Sequence, residues 1–185
     1  MYSKAQAKLY YLYMMSDGDV SENEKKLFNS ICKDLYLDAD DKKEVLKECK
    51  NIASEDGMNC IEVLEKNADT DYIMGDLDLD LSKYVTEEDK AKILWNLINL
   101  GYSDEHFTTD EMEVVDFLRE YWEIPDVLYN EMIDVAETCL ALVKHKEWVE
   151  KLPESEYKLN KIKQIKKDLK NTQENIKITI SEIEF

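Results

Sequence analysis

The chain is poor in glycine and poorer in proline, with four Gly and two Pro in 185 residues. Long helices therefore escape the residues that most often break them. Thr is sparse and Val modest, which disfavours a large sheet. Cysteine is scarce as well. Cys32, Cys49, Cys60 and Cys139 show no CxxC spacing. That argues against zinc and disulfide use and for reduced core thiols. No apolar run approaches the roughly 18 residues of a membrane-spanning helix, and no secretory signal precedes the first amphipathic stretch. These absences predict a cytoplasmic protein without membrane insertion. No Glu-x-x-His pair, phosphate-binding glycine loop or recognisable Ser or Cys nucleophile motif occurs. The expectation is a protein that is not an enzyme.

Positive charge is also in short supply. Lys and Arg number 24 against 42 Asp and Glu, a net charge of -18. The deficit is uneven. Residues 1–150 hold 16 basic and 36 acidic side chains, whereas residues 151–185 hold eight Lys against six acids. An acidic body repels nucleic acid and anionic membrane and attracts cations and basic partners. Acid kept on the surface for solubility gives the same composition, so charge by itself leaves both readings open.

What the chain does have is a phrase written twice. Asp17-Gly18-Asp19-Val20-Ser21-Glu22-Asn23-Glu24 is matched 87 positions later by Asp104-Glu105-His106-Phe107-Thr108-Thr109-Asp110-Glu111. The shared pattern is an acid, an apolar residue three on, Ser or Thr, and Glu three beyond. The register continues without a gap. Leu27 falls on Val114, Phe28 on Val115, Ile31 on Leu118 and Leu35 on Trp122; farther on, Val45 falls on Met132, Cys49 on Ala136 and Ile52 on Cys139. Eleven apolar pairs share the offset, from Val20 with Phe107 to Ala53 with Leu140. Upstream of Asp17 the match decays. Two copies at so long a period are not a solenoid; they indicate duplication within one domain.

Periodicity predicts helices over 2–16, 22–36, 40–55, 59–68, 86–101, 109–122 and 126–150. Pro125 suits the start of the last of these, and Pro153 marks a boundary. An amphipathic helix follows, carrying Leu159, Ile162, Ile165, Leu169 and Ile176. The alternating end, Ile176 to Ile180, suits strand or helix equally. Asp76-Leu77-Asp78-Leu79-Asp80-Leu81 alternates strictly and reads as extended. The fold class is all-α: residues 1–150 form one domain with repeat halves at about 1–74 and 86–150, and 153–185 form a Lys-rich tail. Tyr10, Tyr11, Tyr13, Met14 and Met15 make the first helix aromatic and soft, suited to core packing or, secondarily, to a partner groove.

Ser21-x-x-Glu24 and Thr108-x-x-Glu111 each fit a capping box, in which hydroxyl and carboxylate reciprocally satisfy backbone N–H groups. That accounts for the two Glu. It accounts less well for Asp17 and Asp104, which end the preceding helix, where negative charge faces the unfavourable end of the dipole. Asp in a turn can bond its own backbone. The alternative is oxygen ligation of a hard cation, calcium or magnesium. Asp17, Asp19 and Glu24 would supply one hinge and Asp104, Asp110 and Glu111 the other. Crowded carboxylates raise one another's pKa, and a bound cation removes that cost. His106 takes the place of Asp19 in the second copy and reads as a loop histidine or a nitrogen ligand. Neither acidic run is an EF-hand. Counted from Asp17, Glu22 stands where the loop needs Gly; counted from Asp76, Leu81 does, although Glu87 then falls at the twelfth position.

Ser16-Asp17-Gly18-Asp19-Val20-Ser21-x-x-Glu24 at a helix-to-helix turn, with a degenerate second copy, resembles the TerB-like family of tellurite-resistance proteins. The N-terminal domain of certain DnaJ-type membrane-anchored co-chaperones is similar. The resemblance covers residues 1–150. It implies about seven helices with internal pseudo-symmetry and a divalent-cation cluster at Asp17, Glu24, Asp104 and Glu111. It also implies service in stress-related assemblies with protein partners. Glu105 and His106 replace Gly18 and Asp19 in the second copy, a departure from equal halves. The rival expectation is a helical interaction scaffold that binds no metal, its acids acting as caps and solvated surface.

Overall fold

The computed structural model describes residues 2–16, 18, 20–52, 59–68, 86–104 and 107–182. Among the described residues there are eight α-helices and no strand: α1 (Tyr2–Met14), α2 (Glu22–Asp34), α3 (Ala39–Asn51), α4 (Cys60–Ala68), α5 (Glu87–Gly101), α6 (Thr109–Tyr121), α7 (Asp126–Glu150) and α8 (Glu156–Glu182). A 3-10 turn, Tyr102–Asp104, follows α5. The all-α expectation holds, with described helix ends within about two residues of those expected; the expected end of the third helix, at 55, lies outside the described residues. The extended reading of residues 76–81 lies outside the described residues.

The chain divides into two compact units, Met1–Glu123 and Ile124–Phe185. In the first, α1 is the hub. It packs against α2, α3, α4, α5 and α6. It is apolar nearly all round, burying Ala5, Ala7, Leu9, Tyr10, Leu12, Tyr13 and Met14, as an encircled helix must. Its counterpart α5 likewise buries Ala91, Ile93, Leu94, Trp95, Leu97, Ile98 and Leu100. The two helices touch, and Asn96 Nδ2 donates to the Tyr10 hydroxyl at 3.1 Å. Their sequences are the part of the repeat that matches least. A helix buried on every side accepts any well-filling apolar set, so register there is not written position by position. Outside the core, Lys4 pairs with Asp41 and Glu44, and Lys8 with Glu48, lacing α1 to α3.

The duplication is legible in the backbone. Lys25 N bonds Ser21 O and Met112 N bonds Thr108 O, opening α2 and α6. Leu35 N bonds Ile31 O and Trp122 N bonds Leu118 O, closing them. The next residue in each copy, Tyr36 and Glu123, has a left-handed backbone, with φ of 59° and 55°. They are the two non-glycine residues with positive φ among those described, and they stand 87 positions apart. A residue in this conformation turns the chain out of a helix end.

The second unit is a helical hairpin. α7 and α8 pack along their length, and Thr179 near the end of α8 reaches Glu131 near the start of α7, so they run antiparallel. Lys158 ties the connecting turn, donating from Nζ to Leu152 O at 2.9 Å and to Glu154 at 2.6 Å. The alternating end of the tail is helical. Ile176 and Ile180, four apart, are buried, whereas Ile178 is 52% exposed.

Candidate functional site

The two hinges are built from the same parts. In the first, Ser21 accepts from Glu24 N at 3.1 Å, and Glu24 Oε2 accepts from Ser21 N at 2.6 Å. In the second, Thr108 Oγ1 accepts from Glu111 N at 3.3 Å, while Glu111 Oε2 accepts from Thr108 N at 2.8 Å and from the Thr108 hydroxyl at 2.9 Å. Both capping boxes read from the sequence are therefore present. In each copy the cap engages one carboxylate oxygen, Oε2.

Burial sets these two Glu apart. Glu24 is 1% exposed and Glu111 2%. Other helices of the molecule show that capping alone does not require this. The Asp38–Asp41 box of α3 leaves the Asp41 side chain 30% exposed. Glu62, which accepts from Asn59 N at 3.0 Å at the start of α4, is exposed. Asp89, bonded to the Thr86 cap of α5, is half-buried. Among the described residues, carboxylates withdraw from water at the two hinges of the repeated phrase, and ionised groups resist such withdrawal unless paired or ligated.

The hinges also meet. Asn23 Nδ2, in the first turn of α2, donates to Ser103 O in the 3-10 turn at 3.3 Å, and that turn packs against α2. Gly101 sits where they close. A Cβ there would lie 2.5 Å from the Phe107 ring and 2.5 Å from the Tyr13 hydroxyl. Phe107 stacks at a tilt on Tyr102, ring centroids 5.0 Å apart. Gly18 has φ +88°, a conformation that suits glycine, and its N–H bonds Met15 O at 3.1 Å. The Ser103 hydroxyl oxygen is buried and has no hydrogen-bond partner among the described residues.

Of the six candidate ligands, the structure brings Glu24 and Glu111 into buried, equivalent positions. Asp110 is exposed in the first turn of α6, at the position equivalent to Asn23. Asp17, Asp19 and the side chain of Asp104 lie outside the described residues, as does His106. Among the described residues no group of three or more His, Cys, Asp or Glu is placed to hold a metal ion. Of the weaker calcium-loop reading, Asp76, Asp78 and Asp80 lie outside the described residues, and Glu87 pairs with Lys90 at 3.3 Å. The four cysteines are free and buried. Burial pushes the Cys32 thiol up to about 11 and those of Cys49 and Cys60 up to about 12.

Duplicated helical pairs, joined at capped hinges that bury one carboxylate each, define an all-α repeat domain. The family model described as Tellurite resistance protein TerB matches residues 3–133, and the chain belongs to that family. No curated protein and no solved structure gives a match. Among the described residues no helix is long and apolar enough to cross a membrane.

Proposed function

We propose that the chain is a non-enzymatic, acidic helical module that binds a divalent cation, calcium before magnesium, at its paired hinges. On this reading it serves with protein partners in a stress-response assembly of the tellurite-resistance kind. The observation that carries the cation is the burial of Glu24 and Glu111 at 1% and 2% exposure. Charge so placed is costly unless opposed by charge or met by donors; cap donors meet Oε2 of each Glu, and a cation would be a further source of opposing charge. Glu24 and Glu111 would hold the ion, with Asp17, Asp19, Asp104 and Asp110 as the remaining candidates. The buried Ser103 hydroxyl adds an oxygen of the kind hard cations accept. The cation would supply positive charge that offsets the crowding of acids.

The second reading is a metal-free interaction scaffold. It is favoured by the cap bonds themselves, which give each buried carboxylate backbone donors at 2.6 and 2.8 Å. Gln separates the two, because it preserves the box and removes the charge. Wild-type protein stripped with EDTA should gain roughly 5 °C in melting temperature on saturation with calcium. The Glu24→Gln, Glu111→Gln double variant should stay within about 1 kcal/mol of the stripped wild type and lose most of the calcium-induced gain. If calcium, magnesium and manganese all leave the wild-type melt unmoved, the cation reading fails and the scaffold stands.

A further inference from the structure

One patch of the first unit runs against the charge of the whole. α1, α2 and α3 enclose a groove of about 440 Å³. Its floor is apolar, formed by Tyr11, Met14, Phe28 and Leu46, and lysines 25, 42 and 43 stand along it. Met14 and Phe28 are buried at 1% and 4% exposure, and the Tyr11 and Phe28 rings lie 5.7 Å apart. The volume falls within the range of small binding clefts and accepts roughly two apolar side chains. Lys25 and Lys43 pair with exposed acids on their own helices, Glu22 and Asp40. Lys42 bonds the neutral amide of Asn29 at 3.3 Å.

The repeat sharpens the contrast. At the offset of 87, the groove lysines 25, 42 and 43 fall on Met112, Tyr129 and Asn130. None of those three residues is basic. The basic character of the α1–α2–α3 groove is therefore a property of the first half and not of the shared pattern.

We propose that this groove docks a short acidic segment of a partner protein, carrying two apolar side chains about one helical turn apart. The apolar pair would fill the floor and the acids would meet the three lysines. A peptide touches only the groove, so local charge governs it. An extended anionic bilayer would also face the rest of the first unit, whose balance over residues 1–123 is 14 basic against 30 acidic side chains, and would be repelled. None of the groove residues is a candidate cation ligand, so this inference stands apart from the cation reading.

The test is a fluorescence-anisotropy titration of the full chain with a labelled peptide bearing two Leu, four apart, flanked by Glu. Saturable binding is expected, unchanged by EDTA. It should weaken at least about tenfold in the Lys42→Glu, Lys43→Glu double variant, and about fivefold when the peptide's Glu are replaced by Gln. The double substitution adds acid to the first turns of α3, where the helix dipole favours it, so the fold should persist. Ala39→Trp, at an exposed position lining the same groove, is the second variant and should block binding by filling the cleft. Each variant's circular-dichroism melt establishes that it is folded. Equal binding by wild type and both variants overturns the proposal. So does failure of the wild type to bind the acidic peptide. Binding to phosphatidylglycerol vesicles in place of the peptide would assign the groove to lipid. Self-association abolished by the same variants would assign it to a second copy. Either result also overturns the proposal.

Discussion

Tyr36 and Glu123 show how a duplicated backbone outlasts its side chains. A left-handed conformation costs an ordinary L-residue about 1–2 kcal/mol, and glycine would be the usual choice after a helix end. Tyr36 is 94% exposed and Glu123 is also exposed, so neither gains much packing from its place. Tyr36→Gly and Glu123→Gly should each stabilise the protein by about 0.5–1 kcal/mol, the strain relieved less the entropy glycine loses. Urea unfolding of the two variants checks this; a loss of stability at both would show that these side chains hold contacts the turn needs. The sequence gives little warning of the pair, because Tyr and Glu are not residues that favour positive φ. Their spacing of 87 is visible only once the repeat is aligned. Burial of Glu24 and Glu111 was equally hidden. Glu is seldom buried unless paired, and the capping box that could be read at both positions is normally a surface device.

At the scale of elements, the hinge is the sensitive joint. Gly101 ends α5 in a helical conformation, so its role is space rather than backbone freedom. Gly101→Ala would press a methyl into the Phe107 ring and the Tyr13 hydroxyl at 2.5 Å each. Tyr13 is fully buried and has little room to yield. The expected loss is about 1–3 kcal/mol, read as a lower urea midpoint with an unchanged slope. A loss within error of zero would mean that the two hinges are looser than their geometry implies. Helix positions were largely legible in the chain, because Ser21, Asp38, Thr86 and Thr108 are cap residues placed just before amphipathic runs. What escaped was three-dimensional. Lys25 on α2 and Lys42 and Lys43 on α3 make one basic site only because the turn at Tyr36 folds those helices together. The end of the tail was ambiguous for a different reason. Ile176, Ile178 and Ile180 fit two periods at once, and the burial of Ile165, Ile176 and Ile180 selects the helical one.

At the scale of the whole molecule, the thiols report on folding. The ordinary thiol value of 9.0 rises to about 11 at Cys32 and about 12 at Cys49 and Cys60 because burial disfavours the thiolate. The unfolded chain releases these protons at lower pH than the folded one. Stability from this source is therefore complete below about pH 9 and is lost as pH rises from 9 towards 11 and 12. Chemical unfolding at a series of pH values should show the midpoint falling over that range. The reagent DTNB at neutral pH should label the cysteines slowly in the folded protein and rapidly in guanidinium. Rapid labelling of all four in native buffer would contradict their burial.

The contact between α1 and α5 has one more consequence. Each is the inner helix of its own half, and each covers apolar surface that the other would leave wet. A chain of half this length would need a twin to do the same, and would dissociate on dilution. Joining the copies end to end replaces that bimolecular equilibrium with an effective local concentration, so the paired hinges stay together however little of the protein a cell makes.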